Sequence, residues 1–167
     1  MKKKALFLFI VFLSSSASAE SNDFKFVYHG LNFYIPDAPK SAGFLGTESD
    51  TIIFKYGDNP GEKLVGFSVE SKIETGGCEP VPFFNEVLGK VNTGCDELAV
   101  QSFRHVFVED RDAGVWAGEG YDFYYFIGDK KSTIFFASGT PEEKIIKVDS
   151  NFLTRKQIKQ VFKEYVE

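Results

Sequence analysis

An α+β fold is predicted: one central antiparallel sheet of about six to seven strands, flanked by a mid-chain helix and a C-terminal helix. Three observations predict it. Short runs of alternating apolar residues follow one another along the chain, as in Phe24–Tyr28, Leu31–Ile35, Leu64–Glu70 and Ser132–Ser138. Tight turn sequences separate most of them, which is the connection that antiparallel strands allow. The apolar spacing becomes helical only over 82–91 and again beyond Thr140.

The first nineteen residues stand apart from that fold. Lys2, Lys3 and Lys4 precede an unbroken apolar run over 5–13, and Ala17-Ser18-Ala19 follows Ser14 to Ser16. This is the layout of a secretory signal peptide with its cut after Ala19. The run is about half of the ~20 residues that a membrane-spanning helix needs, so no stable membrane anchor is expected. No cysteine lies near the cut to carry a lipid. The expected product is a single domain over 20–167, in the periplasm or outside the cell, long enough to bury a core.

Phe24, Phe26 and Tyr28 share one face, as do Leu31, Phe33 and Ile35. His29-Gly30 between them reads as a β-hairpin turn. Pro36 ends the second strand, and 36–50 reads as a loop carrying Pro39, Gly43 and Gly46. A third strand is predicted over 51–56 and a fourth over 64–70, with Val65, Phe67 and Val69 inward. Phe83, Phe84, Val87, Leu88 and Val91 recur at helical spacing; Pro80 and Pro82 suit the helix start and Gly94 its stop. A strand over 103–108 follows, then a turn over 109–114. A long strand over 115–127 is expected to bend or bulge at Gly118 or Gly120. Thr140-Pro141-Glu142-Glu143 and Thr154-Arg155-Lys156-Gln157 carry helix-capping signals. The last helix places Ile158, Val161, Phe162 and Tyr165 on one stripe.

Cys78 and Cys95 are the only cysteines. An even pair in an exported chain is most simply a structural disulfide. Their spacing is far wider than the Cys-x-x-Cys of redox centres. A zinc site would need more ligands, and His29 and His105 lie far from both in sequence. No metal and no cofactor are predicted.

The order of elements resembles that of the PsbP/Mog1-like domains. The residues that carry the likeness are the hairpin segment Gly30-Leu31-Asn32-Phe33-Tyr34-Ile35-Pro36, the helix after the fourth strand, and late strands closing into a C-terminal helix. The resemblance implies a central antiparallel sheet flanked by helices, in proteins that are mostly non-catalytic accessory or binding factors. A disulfide is not part of that pattern.

Catalytic spacings are absent: no Gly-x-Ser-x-Gly, no His-Glu-x-x-His and no Gly-x-x-x-x-Gly-Lys-Ser/Thr occurs. Asp110-Arg111-Asp112-Ala113-Gly114 hints at a calcium loop, but glycine comes one position early and the twelfth residue is Tyr121. Glu119 and Asp122 fall on opposite faces of a continuous strand, which disfavours a paired-carboxylate mechanism. His105, with Glu109 as partner, is the one candidate general base, and its alternation with Phe103 and Phe107 places it in the sheet. Without Lys2, Lys3 and Lys4 the chain holds 16 basic against 24 acidic residues, a balance of −8. That disfavours a nucleic-acid partner and suits a basic protein.

The expected function is therefore that of an exported, non-enzymatic binding protein, an inhibitor or immunity protein against a cell-envelope enzyme. Tyr124 and Phe126 of the aromatic run 121–127 are the expected anchors, with Glu109, Asp110 and Asp112 as charged flanks. Two alternatives remain open: a carrier or accessory subunit for a small apolar or lipid-like ligand held between sheet and helix, and a small hydrolase using His105 with a carboxylate. Protein recovered after export should begin at Glu20 by N-terminal sequencing. Recovery with Met1 intact would end the exported reading.

Overall fold

The computed structural model describes residues 23–46, 49–70, 73–138 and 144–166. The signal segment with its cut and the Thr140–Glu143 capping signal lie outside the described residues. The fold is α+β, with nine strands and three helices among the described residues: β1 (Phe24–Tyr28), β2 (Leu31–Ile35), β3 (Ser41–Leu45), β4 (Thr51–Lys55), β5 (Leu64–Glu70), α1 (Pro80–Val87), α2 (Glu97–Phe107), β6 (Asp112–Ala117), β7 (Tyr121–Ile127), β8 (Ser132–Ser138), β9 (Ile145–Ser150) and α3 (Arg155–Val161). Seven strands form one sheet in the order β3-β4-β5-β9-β8-β7-β6, and every neighbouring pair is antiparallel.

The β1–β2 hairpin forms as predicted, with positive φ at both His29 and Gly30. It makes a separate two-stranded layer. This layer and α3 cover one face of the large sheet. Phe33, Ile35, Phe54, Phe67, Phe123, Phe136, Ile158 and Phe162 meet there, all buried. α1 and α2 cover part of the opposite face, where Phe83, Phe84, Val87, Val100, Tyr124, Phe126 and Phe135 form a second core. Because successive strand residues point to opposite faces, β7 feeds both cores at once: Phe123 and Tyr125 into the first, Tyr124 and Phe126 into the second.

The structure corrects five parts of the sequence reading. The segment 103–108 belongs to a helix, α2. Phe103 and Phe107 satisfy a two-residue and a four-residue spacing equally. Asp96 decides the matter, because its carboxylate accepts from the Ala99 N–H and caps α2. The predicted strand 115–127 is two strands folded back at Gly118-Glu119-Gly120. Gly120 has φ +78° and the Gly118 N–H donates to the Tyr121 carbonyl at 2.9 Å. The loop 36–50 contains β3. The helical spacing beyond Thr140 gives way to a strand, β9, which lies between β5 and β8. Finally, α1 stops at Val87, with Leu88 as its C-cap and Gly89 at φ +70°; Gly94 lies well beyond.

Cys78 and Cys95 form a disulfide with Cα atoms 5.6 Å apart. It does not clamp α1 at its two ends, since Cys95 lies beyond α1 and just before α2. The bridge instead ties the residues leading into α1 to those leading into α2. Glu86 holds the returning loop: its carboxylate accepts from the Thr93 hydroxyl at 2.6 Å, the Thr93 N–H at 2.8 Å and the Cys95 N–H at 3.2 Å. The Thr93 bonds hold its carboxyl below the usual range, with the Cys95 N–H adding to them. Thr154 starts α3 with a reciprocal capping box to Gln157, as the sequence predicted.

Replacing Cys78 and Cys95 with serine together should lower unfolding stability by ~2–4 kcal/mol in urea titration, in line with a closed loop of this size. Free thiols in native, unreduced protein would refute the bridge.

Candidate functional site

α1 and α2 lie over β7 and β8 and leave β3, β4 and β5 bare on their side of the sheet. The step between covered and uncovered sheet is a trough of about 850 Å³, open along its length. One wall is α2, with Leu98, Ala99, Ser102, Phe103, Val106 and Phe107. The other is the segment leading to the disulfide, including Ile73, Glu74 and Gly76. The floor is set by strand register: Phe135 of β8 stands beside Lys147 of β9, and Lys147 beside Ser68 of β5.

α2 is amphipathic in an unusual way. Val100 is buried against the sheet, and Phe103 and Phe107 fill the second core. Yet Leu98 and Val106 are 74% and 54% exposed at the lip of the trough. Two large apolar side chains thus stand on the wall of one hollow, on a helix whose inner face is already packed, which makes this wall the candidate surface.

The trough runs into a second hollow of about 580 Å³ over β4, β5 and β9, and the two share Glu70 and Lys147. Its floor is polar. Lys147 pairs with Glu70 at 2.5 Å and lies 3.8 Å from Asp149. Lys131 reaches Asp149 at 3.4 Å, and the Thr133 hydroxyl donates to Asp149 at 2.6 Å. The face is apolar at the helix and compensated by ion pairs beyond it. Glu74 and Asp96 add negative charge to the trough lining.

The structure removes the two expected anchors. Tyr124 and Phe126 are fully buried. The Tyr124 ring stacks on Phe84 with centroids 4.6 Å apart, and its hydroxyl donates to Asp122 at 3.2 Å. Burial, and then the charge of Asp122, push the phenol well above its ordinary pKa. α1 and α2 cover this face of β7, so the surplus aromatic area is the second core.

The three carboxylates are scattered. Asp112 binds Arg155, whose other nitrogen donates to the Tyr125 hydroxyl at 2.9 Å, so it ties β6 to α3. Glu109 and Asp110 are exposed just past the end of α2. Asp110 has φ +58°, where the chain turns from α2 toward β6. Glu109 lies 2.8 Å from the Nδ1 of His105.

His105 is neither in the sheet nor in the trough lining. It stands on the outer side of α2 with its side chain 78% exposed, one turn from Glu109. Such an i,i+4 pair supports a helix. Glu119 and Asp122, expected on one strand, are separated by the β6–β7 turn: Glu119 is exposed in the turn and Asp122 pairs with Ala117 on β6. Among the described residues no cluster of three His, Cys, Asp or Glu side chains could hold a metal ion.

Sequence reasoning missed Leu98, Val106, Phe135, Lys147 and Glu70 as site residues. The exposed pair was hidden by the strand reading of 103–108; read from Asp96 as a helix start, Leu98, Ser102 and Val106 recur every four residues. No family model, curated protein or solved structure matches the chain.

Tyr124→Ala should lower stability by ~3–5 kcal/mol, the cost of emptying a large aromatic site in a core, measured by urea unfolding. An unchanged unfolding midpoint would put that ring back on the surface.

Proposed function

We propose that this chain is an exported, non-enzymatic binding protein, of the inhibitor or immunity type, and that it takes a protein partner along the trough beside α2. One observation carries the reading: Leu98 and Val106 stand exposed on the wall of a hollow that no described residue covers on its open side. Small-molecule sites enclose most of their ligand, whereas an open trough suits an element of another protein laid along it. Apolar anchors with a charged rim are the usual anatomy of such a surface.

The charges specify the partner. Glu74 and Asp96 line the trough, and Glu97 and Glu109 lie on or beside α2. Among the described residues Lys147 is the one basic side chain in the lining, and it is paired with Glu70. A partner that presents a basic, apolar-ridged segment fits this rim. The acidic balance of the whole chain would steer it in and oppose nucleic acid. The resemblance to PsbP/Mog1-like accessory domains and the disulfide agree with this reading.

The lining of Phe103, Val106, Phe107 and Phe135 favours the alternative ligand class, a small apolar or lipid-like molecule. One experiment separates the two. Purified protein is used to capture partners from cell-envelope extracts, beside the double variant Leu98→Glu, Val106→Glu, and both are extracted with organic solvent for mass spectrometry. A protein captured by the wild type, lost with the variant and released by salt supports the proposal. The variant should keep its thermal midpoint, because both side chains are already in water. A bound amphiphile without a protein, or capture indifferent to the variant, overturns it.

A further inference from the structure

β3 is the outermost strand of the large sheet, and all five of its residues are exposed. Among the described residues no element pairs with its outer edge. Strands that remain free at a sheet edge are usually guarded by lysine, proline or a bulge, which prevent another strand from adding on. Ser41-Ala42-Gly43-Phe44-Leu45 has neither charge nor proline, and its five residues pair with β4 in unbroken register. It also exposes Phe44 at 64% and Leu45 at 56%. The opposite edge strand, β6, differs: it opens on Asp112, which is held by Arg155.

The direction of the free backbone groups follows from the register. The Tyr56 N–H donates to the Lys63 carbonyl, and Phe54 and Ile52 face Val65 and Phe67 on β5. Hydrogen-bonded and non-hydrogen-bonded positions alternate along antiparallel strands. Even-numbered residues of β4 therefore turn their polar groups to β5 and odd-numbered ones to β3. The Lys55 carbonyl does point to the β3 side, where it accepts from the N–H of Lys40, just before β3 and one residue off the Ser41–Lys55 pairing. Ile53 faces Gly43, so Ser41, Gly43 and Leu45 bond inward, and Ala42 and Phe44 hold their N–H and C=O groups outward.

We propose that a second copy of this chain adds to β3, antiparallel, across a two-fold axis at Gly43, joining two seven-stranded sheets into one. In that register Ala42 and Phe44 of each copy meet Phe44 and Ala42 of the other, and their outward N–H and C=O groups close four hydrogen bonds. The facing pairs away from the axis set large against small, Phe44 against Ala42 and Leu45 against Ser41, and glycine meets glycine at the axis. Neighbouring registers lose this match. An axis at Ala42 sets Phe44 against Lys40, whose N–H is already held by Lys55. An axis at Phe44 drives two phenylalanines together. The five residues read as their own complement, which is what an isologous contact requires. With no charged side chain among them, nothing in the strand selects a charged foreign segment.

Side-chain placement adds to the fit. Ala42 neighbours Phe54 on β4, and the ring of Phe24 lies 5.9 Å from that of Phe54. The second copy's Phe44 falls over Ala42 into this apolar niche and shields Phe24, which is 38% exposed. Both copies carry net negative charge, so added salt strengthens this contact by screening. A basic partner in the trough responds in the opposite sense.

The test is sedimentation of the purified protein over a range of concentration, with substitutions on β3. The wild type is expected to pass from monomer to dimer as concentration rises, more readily in high salt. Phe44→Asp and Ala42→Pro should each weaken association by about tenfold or more, as loss of a central contact does, with little change in the monomer's thermal midpoint. Gly43→Cys tests the axis directly, since a Cβ at that position meets nothing within 4 Å. On mild oxidation it should link two copies, while Ser41→Cys, off the axis, links them far less. A monomer at every concentration overturns the proposal. So does a dimer indifferent to Phe44→Asp, or equal cross-linking at positions 41 and 43. A foreign strand bound to β3 of an otherwise monomeric protein also overturns it.

Discussion

The fold depends on the position taken by β9. Strands β3, β4 and β5 form one antiparallel run and β6, β7 and β8 another, each joined by local connections. β9 lies between β5 and β8, pairing Val65–Glu70 on one side and Ser132–Phe136 on the other. Without it there are two three-stranded pieces, each with two edges. With it there is a single surface wide enough to carry a hairpin and a helix on one face and two helices on the other. Ile146 and Val148 point into the first core and Ile145 into the second, so the central strand also binds the layers together.

That arrangement explains why so much aromatic surface is consumed internally. β7 and β8 are covered on both faces, and a strand covered twice loses the alternation of apolar and polar residues. Tyr121-Asp122-Phe123-Tyr124-Tyr125-Phe126-Ile127 looks like an excess of rings only if one face is assumed to be wet. β5, wet on one side, keeps its alternation: Val65, Phe67 and Val69 are buried, while Gly66 and Glu70 are partly exposed and Ser68 faces the polar floor.

Much of this was legible in the chain. The β1–β2 hairpin, β5, β8, the α3 cap and the disulfide all rest on local signals that tertiary context does not override: a turn with two positive φ values, a clean period of two, a capping box, a pair of cysteines. What was not legible depends on distant partners. Ile145-Ile146-Lys147-Val148-Asp149-Ser150 is a strand because β5 and β8 are there to receive it, and the capping signal at Thr140 pointed the other way. Phe103-Arg104-His105-Val106-Phe107 satisfies both periods, and only Asp96 breaks the tie. The site suffered most. Exposure of Tyr124 and Phe126 depends on what covers β7, and the helix that covers it, α2, was read as a strand. One wrong period thus hid both the second core and the apolar lip at Leu98 and Val106.

The boundary of the helical layer accounts for the character of the open face. α1 and α2 are short, and the disulfide, with Arg104 bonding the Glu86 and Val87 carbonyls, holds them together as one block. That block spans about half the sheet, and residue chemistry changes at its border. Beneath it the floor is Tyr124, Phe126 and Phe135. Beyond it the same face of the sheet carries Gly66, Ser68, Thr133, Lys147 and Asp149, whose polar groups are matched among themselves. The floor there mixes these paired polar groups with the apolar side chains of Ile53 and Leu64. At the border of the block the exposed apolar side chains are Leu98 and Val106 of α2, while Phe44 and Leu45 stand apart from them on β3. On the proposed reading, a partner would meet the apolar wall of Leu98 and Val106 on one side and a floor of paired charges and scattered apolar side chains below. Its strongest apolar contacts would then lie along the ridge that faces α2.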